Sequence, residues 1–399
     1  MSAAHTDQGF RGELIPPGRR PGRPRRLWVR RVLQVIAAAV VVLLVVTGWS
    51  IGGALTAPGT DSTSARLAEW GRDHGFNGLI TWLERLQYEH NQPKIGGAPA
   101  GGIPPAVGSV TGPVNPLSGG HHLPAPATIP TLAGGTPLAG EGQWQTVVTV
   151  KGSPAVRVAA LRPDDQHTSY VAGVMWIDPT LVRGQLQPGY RDPGGSWQAA
   201  TSITPALQGS VVAAFNAGFR LNGASNGGYY SEGRTAVPLV NNAASLVLRT
   251  DGTAAVGSWN TEVRMGPDVA SVRQNLVMLV DNGTVNPTCA TGGSSEWGAT
   301  IGQAAFIDRS GFGITADGAE IYVGGPSLSV CTLGEILRAA GAVRGMELDI
   351  NPAWVSGTYF HDTPAGAPQG FRLYPAQQVS PQHYLSPSSR DWYGWYARS

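Results

Sequence analysis

The chain has 399 residues, with 55 glycines, 31 prolines, two cysteines and a formal charge of +2. The positive excess lies within residues 1–31, where eight arginines face Asp7 and Glu13 for a net of +6, so the chain from Val32 onward carries −4. A body of that sign excludes a basic surface for nucleic acid, and so few cysteines exclude a disulfide-dense scaffold or C-x-x-C chemistry.

Residues 1–31 read as a basic cytoplasmic tail. From Val32 to Thr60 no charged residue occurs, and such a run is long enough to cross a hydrocarbon core of about 30 Å at roughly 1.5 Å per residue. Residues 32–57 are therefore expected to form a transmembrane signal anchor. The preceding arginines would keep the N-terminus cytoplasmic and place the rest of the chain outside, at the cell membrane. A cleaved signal peptide is the competing reading. Against it stand the length of the run, Leu55 where cleavage wants a small side chain, and Pro58 just beyond.

In residues 58–92, Leu79, Leu83 and Leu86 recur at helical spacing behind a candidate cap at Asn77. They predict a juxtamembrane helical segment lying at the membrane face or against a neighbouring chain. Residues 93–143 hold ten prolines and twelve glycines with only Lys94 and Glu141 as charges. This composition predicts a linker, reaching between roughly 40 Å as a coil and 150 Å as polyproline. His121 and His122 within it read as solvated chain.

Residues 144–399 read mostly as strands, and the fold class expected is α+β, a mostly antiparallel β domain with a few helices. Asp251-Gly252, Asn282-Gly283 and Asp317-Gly318 each sit between β-rich flanks, the pattern of type I′ hairpins. Thr332 and Glu335 form a capping box ahead of Leu333, Ile336 and Leu337, and Gly341 closes that helix. A strand follows at once, "RGMELDI", giving one strand-helix-strand crossover over residues 319–350. The terminal "WYGWYARS" is expected to pack on the body.

The strand "RGMELDI" sets Met346, Leu348 and Ile350 on one face and Glu347 and Asp349 on the other. Burying a carboxylate costs several kcal/mol unless it is partnered. That second face is therefore either open to water or turned toward a site. A nucleophile elbow, a zinc helix and a Walker loop are all missing from the sequence. Two further stretches end strands in polar loops: "VVAAFNAGF", closing on Asn216, Gly218 and Phe219, and "YYSEGRTAV", with Glu232 and Arg234. Each has a plain structural reading: Asn216 making a turn, Arg234 pairing with a carboxylate, the two acids forming a solvated edge.

Together "FNAGF", "WGATIG" from Trp297, the Asp317-Gly318 turn and "TLGEILRAAGAVRGMELD" resemble the ordered landmarks of the phosphodiester glycosidase family, over about Val147 to Tyr359. Phe215, Asn216, Gly218 and Phe219 match its F-N-G-G-F, and Leu348-Asp349 match the start of its L-D-G-G-G-S. The chain departs where that family carries glycines and serine, having Ile350, Asn351, Pro352 and Ala353, and where the family has R-T-A-I-G it has Gly298 to Gly302 without the arginine. Pro352 has no N–H to offer an anion. Phosphate binding there must be rebuilt from side chains or is lost, and Arg234 and Asn351 are the candidates for rebuilding it.

The resemblance implies hydrolysis of a sugar-1-phosphodiester on a cell-envelope glycopolymer. Asp349 would activate water, with Glu347 as the second acid, and Asn216, Gly218, Phe219, Arg234 and Asn351 would bind substrate. No cofactor is implied; a divalent ion held by Glu347, Asp349 and Asp362 is a further reading without a diagnostic ligand spacing. The alternative function is a non-catalytic glycan-binding envelope protein that keeps the fold and uses Trp354 and Tyr359. Outside the cell, Cys289 and Cys331 are expected to form a disulfide, closing a loop worth about 4 kcal/mol on the chain-entropy estimate, against the reading of two free thiols.

Overall fold

The computed structural model describes residues 12, 25–109, 121–221, 224–300, 305–362 and 367–399. Two compact units follow one another, Met1–Ala54 and Leu55–Ser399. In the first, α1 (Arg25–Leu55) runs without interruption. Its stretch Trp28–Leu55 is long and apolar enough to cross a membrane, about 42 Å at the α-helical rise.

The second unit opens with α2 (Thr63–Asp73), capped by Ser62 Oγ accepting from the Ala65 N–H at 3.2 Å, and α3 (Asn77–His90). Asn77 is the first residue of α3 and not its cap, and Phe76 before it offers no capping side chain. α3 buries none of its residues, and α2 buries only Ala65, Glu69 and Gly71.

The described parts of residues 93–143 form no helix or strand, yet they lie along the body. The Gly96 N–H donates to the Gln166 carbonyl at 2.6 Å, Ala106 N–H to Gln145 Oε1 at 3.0 Å, and Leu123 N–H to Asp178 Oδ2 at 2.7 Å. Ile129 is fully buried. A proline- and glycine-rich chain cannot make its own ladder, so its backbone groups are satisfied by side chains and strand ends of the domain beside it. Residues 110–120 lie outside the described residues.

The body then runs through β1 (Gln145–Val150), β2 (Ser153–Leu161), β3 (Ala172–Ile177), β4 (Val182–Gln187), a short α4 (Pro205–Gln208) and β5 (Val211–Asn216). Next come β6 (Tyr229–Ser231), β7 (Arg234–Val237), β8 (Ala244–Arg249), β9 (Ala254–Ser258), β10 (Val269–Gln274), β11 (Met278–Asp281), β12 (Thr284–Val285) and a short α5 (Ser294–Trp297). β13 (Ile307–Thr315), β14 (Glu320–Leu328), α6 (Val330–Ala339), β15 (Ala342–Ile350), β16 (Gly357–Asp362), β17 (Pro368–Arg372) and β18 (Trp392–Ala397) complete it.

These strands form three sheets, ordered β1-β2-β3-β14-β13-β15-β11-β12, β7-β6-β10-β8-β9 and β17-β16-β5-β18-β4. The paired strands are antiparallel, which makes the fold α+β. β14 and β15 both pair with β13, so they run parallel to each other on its two sides, joined by α6 as the crossover. α6 begins at Ser329, whose Oγ accepts from the Thr332 N–H at 3.0 Å, so the cap lies three residues before the expected box, and Glu335 pairs with Arg338. The Cys289–Cys331 disulfide ties the first turn of α6 to the loop after β12.

All three hairpins form, but only Asn282-Gly283 has both residues at positive φ, 48° and 70°. At the other two only the glycine does, and the aspartate side chain serves the turn: Asp251 Oδ1 accepts from the Thr253 N–H at 2.9 Å. Such local acceptance by Asp stabilises a turn without a left-handed first residue. The aromatic terminus becomes β18, an interior strand of its sheet between β5 and β4, with Trp392, Tyr393, Trp395 and Tyr396 buried.

Candidate active site

β15 is an interior strand, and the face bearing Glu347 and Asp349 is the face on which α6 lies. Gly345 shares that face by the strand period, and a Cβ added there would stand 3.3 Å from Leu337 of α6. Met346 and Leu348 point into the opposite core with Phe215, Phe312 and Tyr322.

Glu347 is fully buried and ion-paired with Arg309, itself 2% exposed, on the neighbouring β13. Burial pushes its carboxyl up and the Arg309 guanidinium pulls the other way. It lines neither of the cavities that Asp349 borders, and its carboxylate is engaged by Arg309. Asp349, one pleat further, emerges at the strand end. It lines a cavity of about 480 Å³ on one side and a pocket of about 20 Å³ on the other, the second just large enough for about one water. Burial raises its carboxyl from 3.8 to about 7, outweighing Arg390, whose Nη2 stands 3.4 Å from Oδ2. Oδ1 accepts from the Ile350 N–H at 2.8 Å.

Arg390, in the loop just before β18, is the centre of the site. Besides Asp349 it faces Glu69 Oε1 of α2 at 3.4 Å and lies over the Trp354 ring at 4.8 Å. Arg220, directly after the FNAGF loop, lines the same cavity and faces Glu69 Oε2 at 3.4 Å. The site is thus built from the ends of β5, β15 and β18, with α2 along one wall. Beneath it, buried Arg273 pairs with Asp391 at 2.6 Å and donates to the Phe219 and Gln274 carbonyls. That pair fixes the loop carrying Phe219 and Arg220 against the start of β18.

The FNAGF residues divide by role. Asn216 Oδ1 accepts from Tyr322 Oη at 2.8 Å and from the Ser356 N–H at 3.1 Å, while Nδ2 donates to Ser310 Oγ at 3.0 Å. Ser310 in turn holds the Asp349 N–H at 3.1 Å. Asn216 borders only the smaller pocket, with its amide already committed, and it positions Asp349 by way of Ser310. At Gly218 a Cβ would stand 3.0 Å from the side chains of Arg273 and Asn275, so a larger residue would have to displace them. Phe219 lines the main cavity, braced by Gly298 at φ +78°, where any Cβ would strike its ring.

Arg234 lies elsewhere. It is exposed, stacks on Trp197 at 3.6 Å and donates to the Ser196 carbonyl, while Glu232 accepts from the N–H groups of Gln198 and Ala199. The arginines of the body that line the main cavity are Arg220 and Arg390, and Arg234 is not among its lining residues. Asn351 does border the main cavity. At φ 145° it holds a backbone conformation that favours glycine, the residue of the family pattern at that position, and its Oδ1 accepts from the Ala353 N–H at 2.8 Å.

Among the described residues no group of three His, Cys, Asp or Glu side chains is placed to hold a metal ion. Glu347 and Asp349 turn to different arginines, and the Asp362 side chain lies outside the described residues. Arg390, Glu69 and Arg220 were not singled out by sequence. Arg220 adjoins a recognised loop, whereas Arg390 and Glu69 stand in stretches without local signal.

No family model matches the chain, and no curated protein matches it. Among solved structures it is similar to the zebrafish N-acetylglucosamine-1-phosphodiester alpha-N-acetylglucosaminidase catalytic domain, described as auto-inhibited by its pro-peptide, at 15% identity and a TM-score of 0.40, covering 72% of this chain and 98% of that one. A hypothetical protein from Synechocystis is similar at 12% identity and 0.35, covering 63% of each chain. A Burkholderia pseudomallei K96243 protein described as exported is similar at 12% identity and 0.34, covering 57% of this chain and 74% of that one.

Proposed function

We propose that the protein is a membrane-anchored, extracytoplasmic hydrolase of sugar-1-phosphodiesters, with Asp349 as its acid-base group. The reading is supported most by a single observation: a carboxyl raised to about 7 stands at the wall of a cavity of about 480 Å³, beside the guanidinium of Arg390. A group that titrates near neutrality exchanges protons efficiently at the pH of its work. The resemblance of the FNAGF and ELD stretches to the phosphodiester glycosidase landmarks gives that group a substrate class.

In this reading ionised Asp349 takes a proton from water as the water oxygen bonds to the anomeric carbon. The carbon–oxygen bond to phosphate breaks, and the phosphate monoester leaves with the bonding electrons. The leaving group is already anionic, its second pKa lying near 6, so a second carboxylic acid is dispensable and cations to hold its oxygens are not. Arg220 and Arg390 would supply them, with Trp354 and Phe219 facing the sugar. The arginines of residues 1–31 would hold the N-terminus in the cytoplasm and the second unit outside.

The presence of Trp354 beside Arg390, together with Pro352 in place of a glycine, favours a second reading, a glycan-binding module without turnover. The two are separated by incubating the protein with sugar-1-phosphodiesters and measuring reducing sugar. Release by the native chain but not by Asp349→Asn supports hydrolysis; retention of glycan without release supports the binding module.

A further inference from the structure

The helix that walls the cavity does so with charge. Glu69 is 5% exposed, with one carboxylate oxygen 3.4 Å from Arg390 Nη1 and the other 3.4 Å from Arg220 Nη1. One turn later Asp73 stands 3.0 Å from Arg220 Nη2 and 3.3 Å from Arg191 Nη2. Residues i and i+4 share a helix face, so α2 presents two acids to three arginines of the body. Arg72 of the same helix also lines the cavity and is held by Glu84 of α3.

Further along, Tyr88 of α3 hydrogen-bonds the backbone at Phe306. α3 buries no residue, and its Leu79, Trp82 and Leu83 are each about half exposed. The firmer hold comes before α2: Asp61 Oδ2 accepts from Ser389 Oγ at 2.6 Å, Thr60 Oγ1 meets His383 Nδ1 at 2.8 Å, and Tyr190 Oη donates to the Pro58 carbonyl at 3.2 Å. Residues 58–61 are thus moored by hydrogen bonds, whereas α2 meets the body at Glu69 and Asp73 through ion pairs. The pairs of half-exposed Asp73 are screened by salt, those of buried Glu69 much less, and both are open to competition by a free anion.

We propose that Glu69 is an internal ligand: its carboxylate occupies the anion position between Arg220 and Arg390, and α2–α3 is a cover that a phosphate-type anion displaces. The inference rests on the reading of those two arginines as the anion-holding pair, not on the hydrolytic step. A carboxylate spread across two guanidinium groups presents two oxygens to two cations, as two oxygens of a phosphate would.

The test uses the full chain in detergent micelles with inorganic phosphate as probe. Glu69→Gln is expected to bind phosphate at least about tenfold more tightly than the native chain, equivalent to about 1.4 kcal/mol, and Glu69→Gln/Arg220→Gln is expected to lose that gain. In the native chain, phosphate is expected to speed amide hydrogen exchange over residues 63–90 while leaving β15 unchanged, a readout that does not depend on either variant folding. Equal phosphate affinity with and without Glu69, or slower exchange over 63–90 on adding phosphate, overturns the proposal. If phosphate behaves as described and no form releases sugar, the hydrolytic reading fails and the internal ligand stands.

Discussion

Replacing Asp349 by asparagine tests the physical state of the group before any substrate is known. The carboxyl titrates at about 7 in the folded chain against 3.8 as a free side chain. A folded pKa above the unfolded one means that the folded state holds the proton longer. Its stabilising contribution is complete below pH 4 and is lost as pH rises through 7. The loss amounts to about 1.4 kcal/mol per pH unit, or about 4 kcal/mol over the interval from 3.8 to 7. Asparagine has no proton to lose, so the stability of Asp349→Asn relative to the native chain should rise by about that amount between pH 4 and 8. Denaturant unfolding of both chains at a series of pH values, in the same detergent, reads the difference directly. A difference that stays flat from pH 4 to 8 would mean an ordinary surface-like carboxyl and would remove the basis for acid-base chemistry at this position.

Activity of the native chain toward a sugar-1-phosphodiester should rise with pH through about 7, because a base must be ionised to accept a proton; a rate that falls over that interval opposes the role given to Asp349. Glu347→Gln should cost roughly 3–5 kcal/mol of stability, measured by denaturant, since it leaves the buried Arg309 guanidinium unpaired. Arg234→Ala should leave phosphate binding within about twofold of native in a titration, as its guanidinium lies on Trp197 away from the cavity. Reducing the Cys289–Cys331 bridge, 42 residues apart, should lower stability by about 4 kcal/mol, read by unfolding with and without reductant.

Local pattern carried much of this fold. The alternation in "RGMELDI" marks β15 correctly because a strand's period of two survives burial on both faces, and Leu333, Ile336 and Leu337 mark α6 because they are the face it buries. What alternation could not say is what covers the acidic face. Glu347 and Asp349 look equivalent in sequence and differ because Arg309 on a neighbouring strand claims the first, while the second lies at the strand end beside Arg390. The place of Arg234 is equally out of reach of local pattern, its partner Trp197 lying 37 positions away in a loop with no pattern of its own.

The rest of the site was hidden by distance along the chain. Arg390 meets Glu69 across 321 positions and Asp349 across 41, and no periodicity or motif reaches so far. Residues 93–143 show the converse limit. Their composition states that they form no regular element, but whether such a chain swings free or lies along a surface depends on side-chain acceptors such as Gln145 and Asp178 that it meets there.

Release of reducing sugar, followed by NMR during incubation of the full chain with a panel of sugar-1-phosphodiesters, bears most directly on the role given to Asp349. Run in parallel with Glu69→Gln and with Asp349→Asn in both backgrounds, it should show release wherever Asp349 is present, faster without Glu69, and none where Asp349 is asparagine. Undiminished release by the Asp349→Asn chains, or none from any chain between pH 6 and 8, would contradict it.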